Sequence, residues 1–147
     1  HAFKYGHRLA LGNYFGKSLA DHVGPTDADL IVPMPLHPLR LKERGFNQAL
    51  ELARHVGRRL GVAVDAHVCR RIRYTEAQVN LRWRKRISNV RKAFVCEQDL
   101  CGKRILLIDD VMTSGASVNE CARTLKEHGA TEVNLLLIAR ARTPVIS

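Results

Sequence analysis

The chain has 147 residues, 46% of them hydrophobic, and a formal net charge of +10 at pH 7. This size suits a single domain spanning 1–147 with one core and leaves no room for a second. No apolar run approaches the roughly 18–20 residues that cross a membrane, and the start has no signal-peptide core. We therefore expect a cytoplasmic protein that does not insert into a membrane.

Helical and strand patterns alternate along the chain. The predicted helices are 8–23, 47–60 and 116–128. The predicted strands are 30–32, 62–64, 68–70, 93–95, 104–108 and 133–138. Strands that alternate with helices imply right-handed βαβ units, and so an α/β fold with a mostly parallel central sheet flanked by helices. Ligands of such sheets bind at the carboxyl ends of the strands, where the strand order reverses.

The stretch 105–117 is the most informative part of the sequence. Four apolar residues predict a buried strand, Asp109 and Asp110 stand at its carboxyl end, and a short Thr/Ser/Gly loop leads into a helix. Backbone N–H groups of such a loop suit a phosphate monoester. The predicted phosphate-binding residues are Thr113, Ser114, Gly115, Ala116 and Ser117.

The two acids have two readings. Their carboxylates can accept hydrogen bonds from vicinal ribose hydroxyls or hold Mg²⁺. Alternatively, Asp109 and Asp110 only end a strand and cap the following helix. The loop has no lysine and no G-x-x-x-x-G-K spacing, which argues against a nucleoside-triphosphate loop.

At 105–117 the chain resembles the phosphoribosyltransferases of the type I fold. Their motif for 5-phosphoribosyl-1-pyrophosphate (PRPP) has four apolar residues, two acids, two variable residues, and then Thr/Ser-Thr/Ser-Gly-x-Thr/Ser. All thirteen positions fit, with serine at 114 and 117, where threonine is commoner. The resemblance implies the type I phosphoribosyltransferase fold.

Two further blocks narrow the resemblance to the ComF/GntX-like subgroup, which is named for DNA uptake in competence. The first is 30–38 followed by Arg40, Arg44 and Gly45-Phe46-Asn47-Gln48, and the second is 73–94. Many members carry a CxxC…CxxC zinc ribbon before their transferase domain. This chain has four cysteines and no CxxC pair, so we expect no zinc site within it.

The resemblance implies that a nitrogen nucleophile displaces pyrophosphate from C1 of PRPP, with Mg²⁺ bridging ligand oxygens. Asp109 and Asp110 would then be the catalytic and Mg²⁺-holding acids. The implied pyrophosphate-binding residues are His37, Arg40, Arg44, Arg73 and Arg86. His37 could also be only a turn residue. Thr113 stands where purine-salvage relatives often carry aspartate, which disfavours a purine acceptor and leaves the acceptor unidentified.

The segment 70–92 is strongly basic, with nine Lys or Arg residues against one acid. It could fold over the pyrophosphate, or it could be a solvated surface without a ligand. It could also bind single-stranded DNA, with aromatic side chains stacked on the bases and basic side chains close to the phosphates. The nucleic-acid candidates are Tyr74, Arg82, Trp83, Arg84 and Lys85.

Three functions stay open on the sequence alone. They are a PRPP-dependent transferase, a sensor that binds PRPP or a nucleotide without turnover, and a single-stranded DNA-binding factor of competence. Fold does not decide among them. The sequence also leaves open whether the protein forms an oligomer.

Overall fold

A computed structural model describes residues 24–74, 90–112 and 115–140. Its strands are β1 (Leu30–Pro33), β2 (Cys69–Arg71), β3 (Phe94–Cys96), β4 (Arg104–Met112) and β5 (Glu132–Arg140). Its helices are α1 (Pro38–Arg44), α2 (Gln48–Leu60) and α3 (Ala116–Glu127). The helix predicted over 8–23 lies outside the described residues.

The central sheet is parallel, with the strand order β1-β4-β5. On the side of β1 away from β4, Val64 forms a single parallel bridge with Ile31, and this bridge is all that forms of the strand predicted over 62–64. Helices flank the sheet, so the predicted α/β fold class is confirmed.

The two shortest strands do not join the parallel sheet. β2 and β3 pair with each other in an antiparallel ribbon, in which Cys69 faces Cys96 and Arg71 faces Phe94. The alternation of elements predicted one sheet, but it could not show that these short strands would pair locally. This ribbon packs over one face of the sheet and shares its core cluster.

Two hydrophobic clusters cover the two faces of the sheet, as the period of two along a strand requires. Ile31, Leu106 and Ile108 pack against α2. On the opposite face, strand residues such as Val32 and Leu107 pack with α3 and the ribbon. Burying each of these side chains contributes about 1.5–3 kcal/mol, so the apolar strands drive the layering.

Caps define the first two helices. Asn47 begins α2, since its Oδ1 accepts hydrogen bonds from the N–H groups of Ala49 and Leu50 at 3.0 and 3.4 Å. Its Nδ2 donates to the carbonyl of Met34 at 3.1 Å, which ties α2 to the segment that follows β1.

The helix α1 has no buried residue and therefore no apolar period that the sequence could reveal. Pro38 in its first turn and Gly45 in the left-handed conformation at its end (φ 84°) bound it.

Gly57 in α2 allows the chain after the helix to return close to it. A Cβ atom at this position would lie 2.6 Å from Cγ2 of Val64 and 2.9 Å from the carbonyl oxygen of Val62. Gly57→Ala is therefore expected to lower the free energy of unfolding by about 1–3 kcal/mol, despite the higher helix propensity of alanine. Urea denaturation measures the change. The exposed Arg59→Ala is the control and should stay within about 0.5 kcal/mol of the parent.

Candidate functional site

The strand order reverses between β1 and β4. The chain leaves β1 through α2 and returns at Val64 on one side, whereas it leaves β4 through α3 and returns as β5 on the other. The N–H of Met34 donates to the carbonyl of Ile108 at 2.8 Å, which places the segment after β1 beside Asp109. This is the position where open α/β sheets leave a crevice for a ligand.

Asp109 and Asp110 lie at this switch point and are both half-buried. Oδ1 of Asp109 accepts a hydrogen bond from the N–H of Asp110 at 2.9 Å. Burial, followed by a hydrogen bond between the two carboxyl groups and by the charge of Asp110, raises the pKa of Asp109 to about 8. The hydrogen bond from the N–H of Asp110 and the charge of Arg44 act in the opposite direction. Two negative charges in this pair are therefore electrostatically unfavourable, and hydrogen-bond donors or a cation would stabilise the ionised form of this strained acceptor pair.

The start of α3 has the backbone that a close phosphate contact requires. Gly115 adopts the left-handed conformation with φ 79°, and its carbonyl accepts the first helical hydrogen bond from the N–H of Asn119 at 2.9 Å. Within the described residues, no side chain caps this helix at Gly115. Ala116 is buried and Ser117 is half-buried. Thr113 and Ser114 lie outside the described residues.

A cation–aromatic cluster lies at α1. The ring of Tyr74 stands edge-on to His37, with the ring centres 5.4 Å apart, and the guanidinium of Arg40 lies 5.5 Å from the centre of the Tyr74 ring. The Tyr74 hydroxyl donates to Glu43 at 3.2 Å. His37 and Arg40, predicted for pyrophosphate, thus meet Tyr74, predicted for nucleic acid.

His37 also has a structural task. Its Nδ1 accepts a hydrogen bond from the N–H of Leu39 at 3.1 Å and so caps α1. Because Nδ1 accepts this bond, the ring proton lies on Nε2, which is a donor. The sequence reading of a turn residue and that of an anion contact are therefore compatible.

Arg71 belongs to the basic segment 70–92, but the sequence did not single it out among the pyrophosphate-binding residues. Its guanidinium is half-buried and lies 5.4 Å from the centre of the Phe94 ring. Burial and then the charge of Arg40 lower the pKa of Arg71, whereas the charge of Asp109 raises it. The period of two in β2 was the available signal, because it puts Arg71 on the same face as the buried Cys69.

Arg73 lies at the base of the basic segment. Its Nη1 donates to the carbonyl of Arg91 at 2.7 Å, beside a backbone hydrogen bond of 2.7 Å from Ile72 to Ala93. These bonds join the two chain ends that flank residues 75–89. Five other candidates lie outside the described residues: Arg82, Trp83, Arg84, Lys85 and Arg86.

The residues at the crevice suit a hard, partly hydrated cation. In the described part of the chain, no three His, Cys, Asp or Glu side chains form a metal cluster. Mg²⁺ needs no such cage, because it commonly binds one or two carboxylates and takes its other ligands from water and substrate phosphates. The strained pair Asp109–Asp110 fits that requirement. Among the described helices, none is long and apolar enough to cross a membrane.

Because the negative charge of Asp109 is unfavourable in the folded protein, we expect that removing it stabilises the protein at high pH and not at low pH. Asp109→Asn should raise the free energy of unfolding by about 1–3 kcal/mol at pH 8, because it removes a half-buried charge beside Asp110. As pH falls toward the ordinary pKa of 3.8, the folded parent binds a proton that the unfolded chain does not, so the difference should vanish. Urea denaturation from pH 4 to pH 8 measures it. A difference independent of pH would contradict the assigned cause.

The parallel sheet, its flanking helices and the switch point define a doubly wound α/β protein. Residues 45–145 match the family described as phosphoribosyl transferase domain, and the chain belongs to that family.

Curated relatives confirm the resemblance to the competence subgroup. Competence protein F of Haemophilus influenzae is 32% identical over 116 residues, which are 77% of this chain and 51% of that protein. DNA utilization protein YhgH of Salmonella typhi is 37% identical over 112 residues, 76% of this chain and 49% of that protein. The chain thus spans about half the length of these relatives.

A solved structure shares the fold. The glutamine PRPP amidotransferase from B. subtilis, complexed with ADP and GMP, superposes with a TM-score of 0.59. It is 21% identical, and the match covers 86% of this chain and 26% of that protein. At this identity the likeness concerns the fold alone.

Proposed function

We propose that the chain binds PRPP with Mg²⁺ and transfers the phosphoribosyl group to a nitrogen acceptor. The observation that carries the proposal is the half-buried pair Asp109–Asp110 at the switch point, followed along the chain by Gly115 in the left-handed conformation. The pair supplies acceptors, and the start of α3 supplies backbone donors. A phosphosugar needs both within the reach of one ribose ring.

Each group has a role in this proposal. The loop from Thr113 to Ser117 binds the 5′-phosphate through backbone N–H groups and hydroxyls. Asp109 and Asp110 accept hydrogen bonds from the ribose hydroxyls and hold Mg²⁺, which neutralises charge on the pyrophosphate. They also stabilise the positive charge that develops on the ribose as the bond to pyrophosphate breaks.

The leaving pyrophosphate needs fixed cations. The charge of Arg44 reaches Asp109, and Arg40 is held on the ring of Tyr74 close to α1. With His37, these residues form one edge of the proposed pyrophosphate site, and Arg73 and Arg86 complete the set that the family motif suggests. Thr113 provides no carboxylate for a purine nitrogen, so we propose an acceptor other than a purine.

Two other functions are kept for specific reasons. The relatives named for competence and DNA utilization, together with the net charge of +10, favour a role linked to DNA uptake or use. A sensor of PRPP would use the same site without turnover. Assays of pyrophosphate release with amines, nucleobases and single-stranded DNA separate these cases. Release identifies a transferase, PRPP binding without release favours a sensor, and DNA binding without PRPP binding favours the third function.

Removing the charge of both acids should weaken the binding of PRPP with Mg²⁺. Asp109→Asn combined with Asp110→Asn keeps the side-chain sizes and should cost about 2–4 kcal/mol in calorimetry, since each charge-assisted hydrogen bond contributes about 1.5–3 kcal/mol. Asp99→Asn is the matched control, because its exposed carboxylate only accepts a bond from the N–H of Cys101. Equal affinities for the double variant and the parent would overturn the assignment of the acids.

A side chain at Gly115 should block the phosphate. Gly115→Val places a branched Cβ where φ is 79°, so it strains the turn and occupies the approach to the backbone N–H groups. We expect loss of PRPP binding with the circular dichroism spectrum retained. Gly61→Val is the matched control, because it carries the same kind of strain (φ 66°) in open space at the end of α2. If both variants bind PRPP equally well, the loop is not the phosphate site.

A further inference from the structure

We propose that Cys69 and Cys121 are a thiol-oxidation site, at which a peroxide converts the two thiols into a reversible disulfide bond between β2 and α3. The inference does not depend on the proposed function. It rests on a side-chain cluster that the phosphosugar site does not use, formed by three of the four cysteines of the chain: Cys69, Cys96 and Cys121.

The fold brings the two thiols into contact although they are distant in the sequence. Cys69 begins β2 and Cys121 lies in the second turn of α3, 52 positions later. Their Sγ atoms are 3.6 Å apart, and the two residues are only 1% and 0% exposed. A disulfide bond has a length of about 2.05 Å, so the sulfur atoms need to approach each other by about 1.6 Å more.

The contacts distinguish Cys121 from the other cysteines as the partner of Cys69. Cys96 is the register partner of Cys69 across the ribbon, but its thiol donates to the carbonyl of Gln98 at 3.5 Å. Cys101 is exposed and lies outside the core cluster that holds the other three cysteines. Cys69 and Cys121, whose sulfur atoms touch, are therefore the pair that we expect to react.

The thiol–thiol contact makes the two sulfur atoms chemically unequal. The hydrogen bond that the Cys121 thiol donates lowers the pKa of Cys69, whereas burial raises it. The same hydrogen bond, followed by burial, raises the pKa of Cys121. Cys69 therefore carries the negative charge more readily, and the thiolate is the form of cysteine that attacks an oxidant.

Oxidation by hydrogen peroxide proceeds in two balanced steps. The Cys69 thiolate attacks one peroxide oxygen, the O–O bond breaks, hydroxide leaves, and Cys69 becomes a sulfenic acid. The Cys121 sulfur then attacks the Cys69 sulfur, the S–O bond breaks and the S–S bond forms, and a second hydroxide leaves. The two thiol protons convert both hydroxides into water, and the two sulfur atoms have lost two electrons to the peroxide. A dithiol reductant reverses the reaction by thiol–disulfide exchange.

The surroundings of the pair allow both access and closure. Cys96, which faces Cys69 across the ribbon, lines an open groove beside the end of α3, so a small oxidant reaches the edge of the thiol cluster from solvent. The strands of the ribbon have three residues each and lie outside the parallel sheet. The ribbon can therefore shift toward α3 while the pairing of the parallel sheet stays intact.

The disulfide bond would join two elements that only non-covalent contacts hold together in the reduced protein. The basic segment 70–92 starts in the ribbon, and α3 starts after Gly115. Oxidation would fix the distance between the ribbon and α3, so the redox state of the surroundings would control how far these two elements move relative to each other.

The test oxidises the folded full chain. The fully reduced parent is treated with hydrogen peroxide at neutral pH and then measured by intact mass, non-reducing peptide mapping and thermal unfolding. We expect a mass lower by about 2 Da, peptides joined through Cys69 and Cys121, and a Tm higher by about 8–15 °C, because the bond closes a loop of about 50 residues in the unfolded chain. Dithiothreitol should restore the original mass and Tm.

Four variants separate this pair from the other thiols. Cys69→Ala and Cys121→Ala should each abolish the loss of mass and the rise in Tm on oxidation. Cys101→Ser is the control for an exposed thiol, and Cys96→Ala is the control for a buried thiol of the same cluster. Both controls should keep the full response. The peptide map of the parent decides the case even where a variant does not fold.

Several outcomes would overturn the inference. One is a folded parent whose Cys69 and Cys121 remain thiols after peroxide treatment, whether or not Cys101 gains oxygen. Another is a bond that joins Cys69 to Cys96 in place of Cys121. A third is a bond between Cys69 and Cys121 that forms only when the chain is unfolded in urea, because the folded structure would then not direct the pairing.

Discussion

The parallel pairing of β1 with β4 is the constraint on which the rest of the structure depends. It brings two segments that are distant in the chain to one edge of the sheet, so the loop after β1 lies beside the acids of β4. Apolar side chains alternate between the two faces of both strands and bind helices on each side. The pairing therefore fixes the core and the candidate site together.

The candidate site is built at a cost in electrostatic free energy. Asp109 is half-buried beside a second carboxylate, and this raises its pKa to about 8 instead of stabilising its charge. If Asp109 served only the stability of the fold, a neutral side chain would be more favourable at this position. The electrostatic cost is therefore what we expect of a carboxylate pair that binds a ligand. Two arginines, Arg40 and Arg71, lie on the aromatic rings of Tyr74 and Phe94, which fixes the positions of their guanidinium groups.

Cations of the basic segment divide into different environments once the chain is folded. Arg70 is exposed and paired with Glu97, Arg71 is half-buried over Phe94, and Arg73 holds a backbone carbonyl at the base of the segment. Adjacent positions on a strand face opposite sides, so a run of like residues in the sequence does not form one surface.

The sequence by itself determined the fold class, the order of most elements and which strand the acids follow on from, because apolar periodicity and a local motif are encoded over a few neighbouring residues. It did not show α1, whose residues bury no face, or the full length of β4, which continues through Asp109 and Asp110 to Met112. It also did not show that β2 and β3 pair with each other or that Arg71 reaches the charges of Arg40 and Asp109. Only the tertiary structure decided these features, because each depends on which distant segments contact one another. Local residue spacing does not specify those long-range contacts.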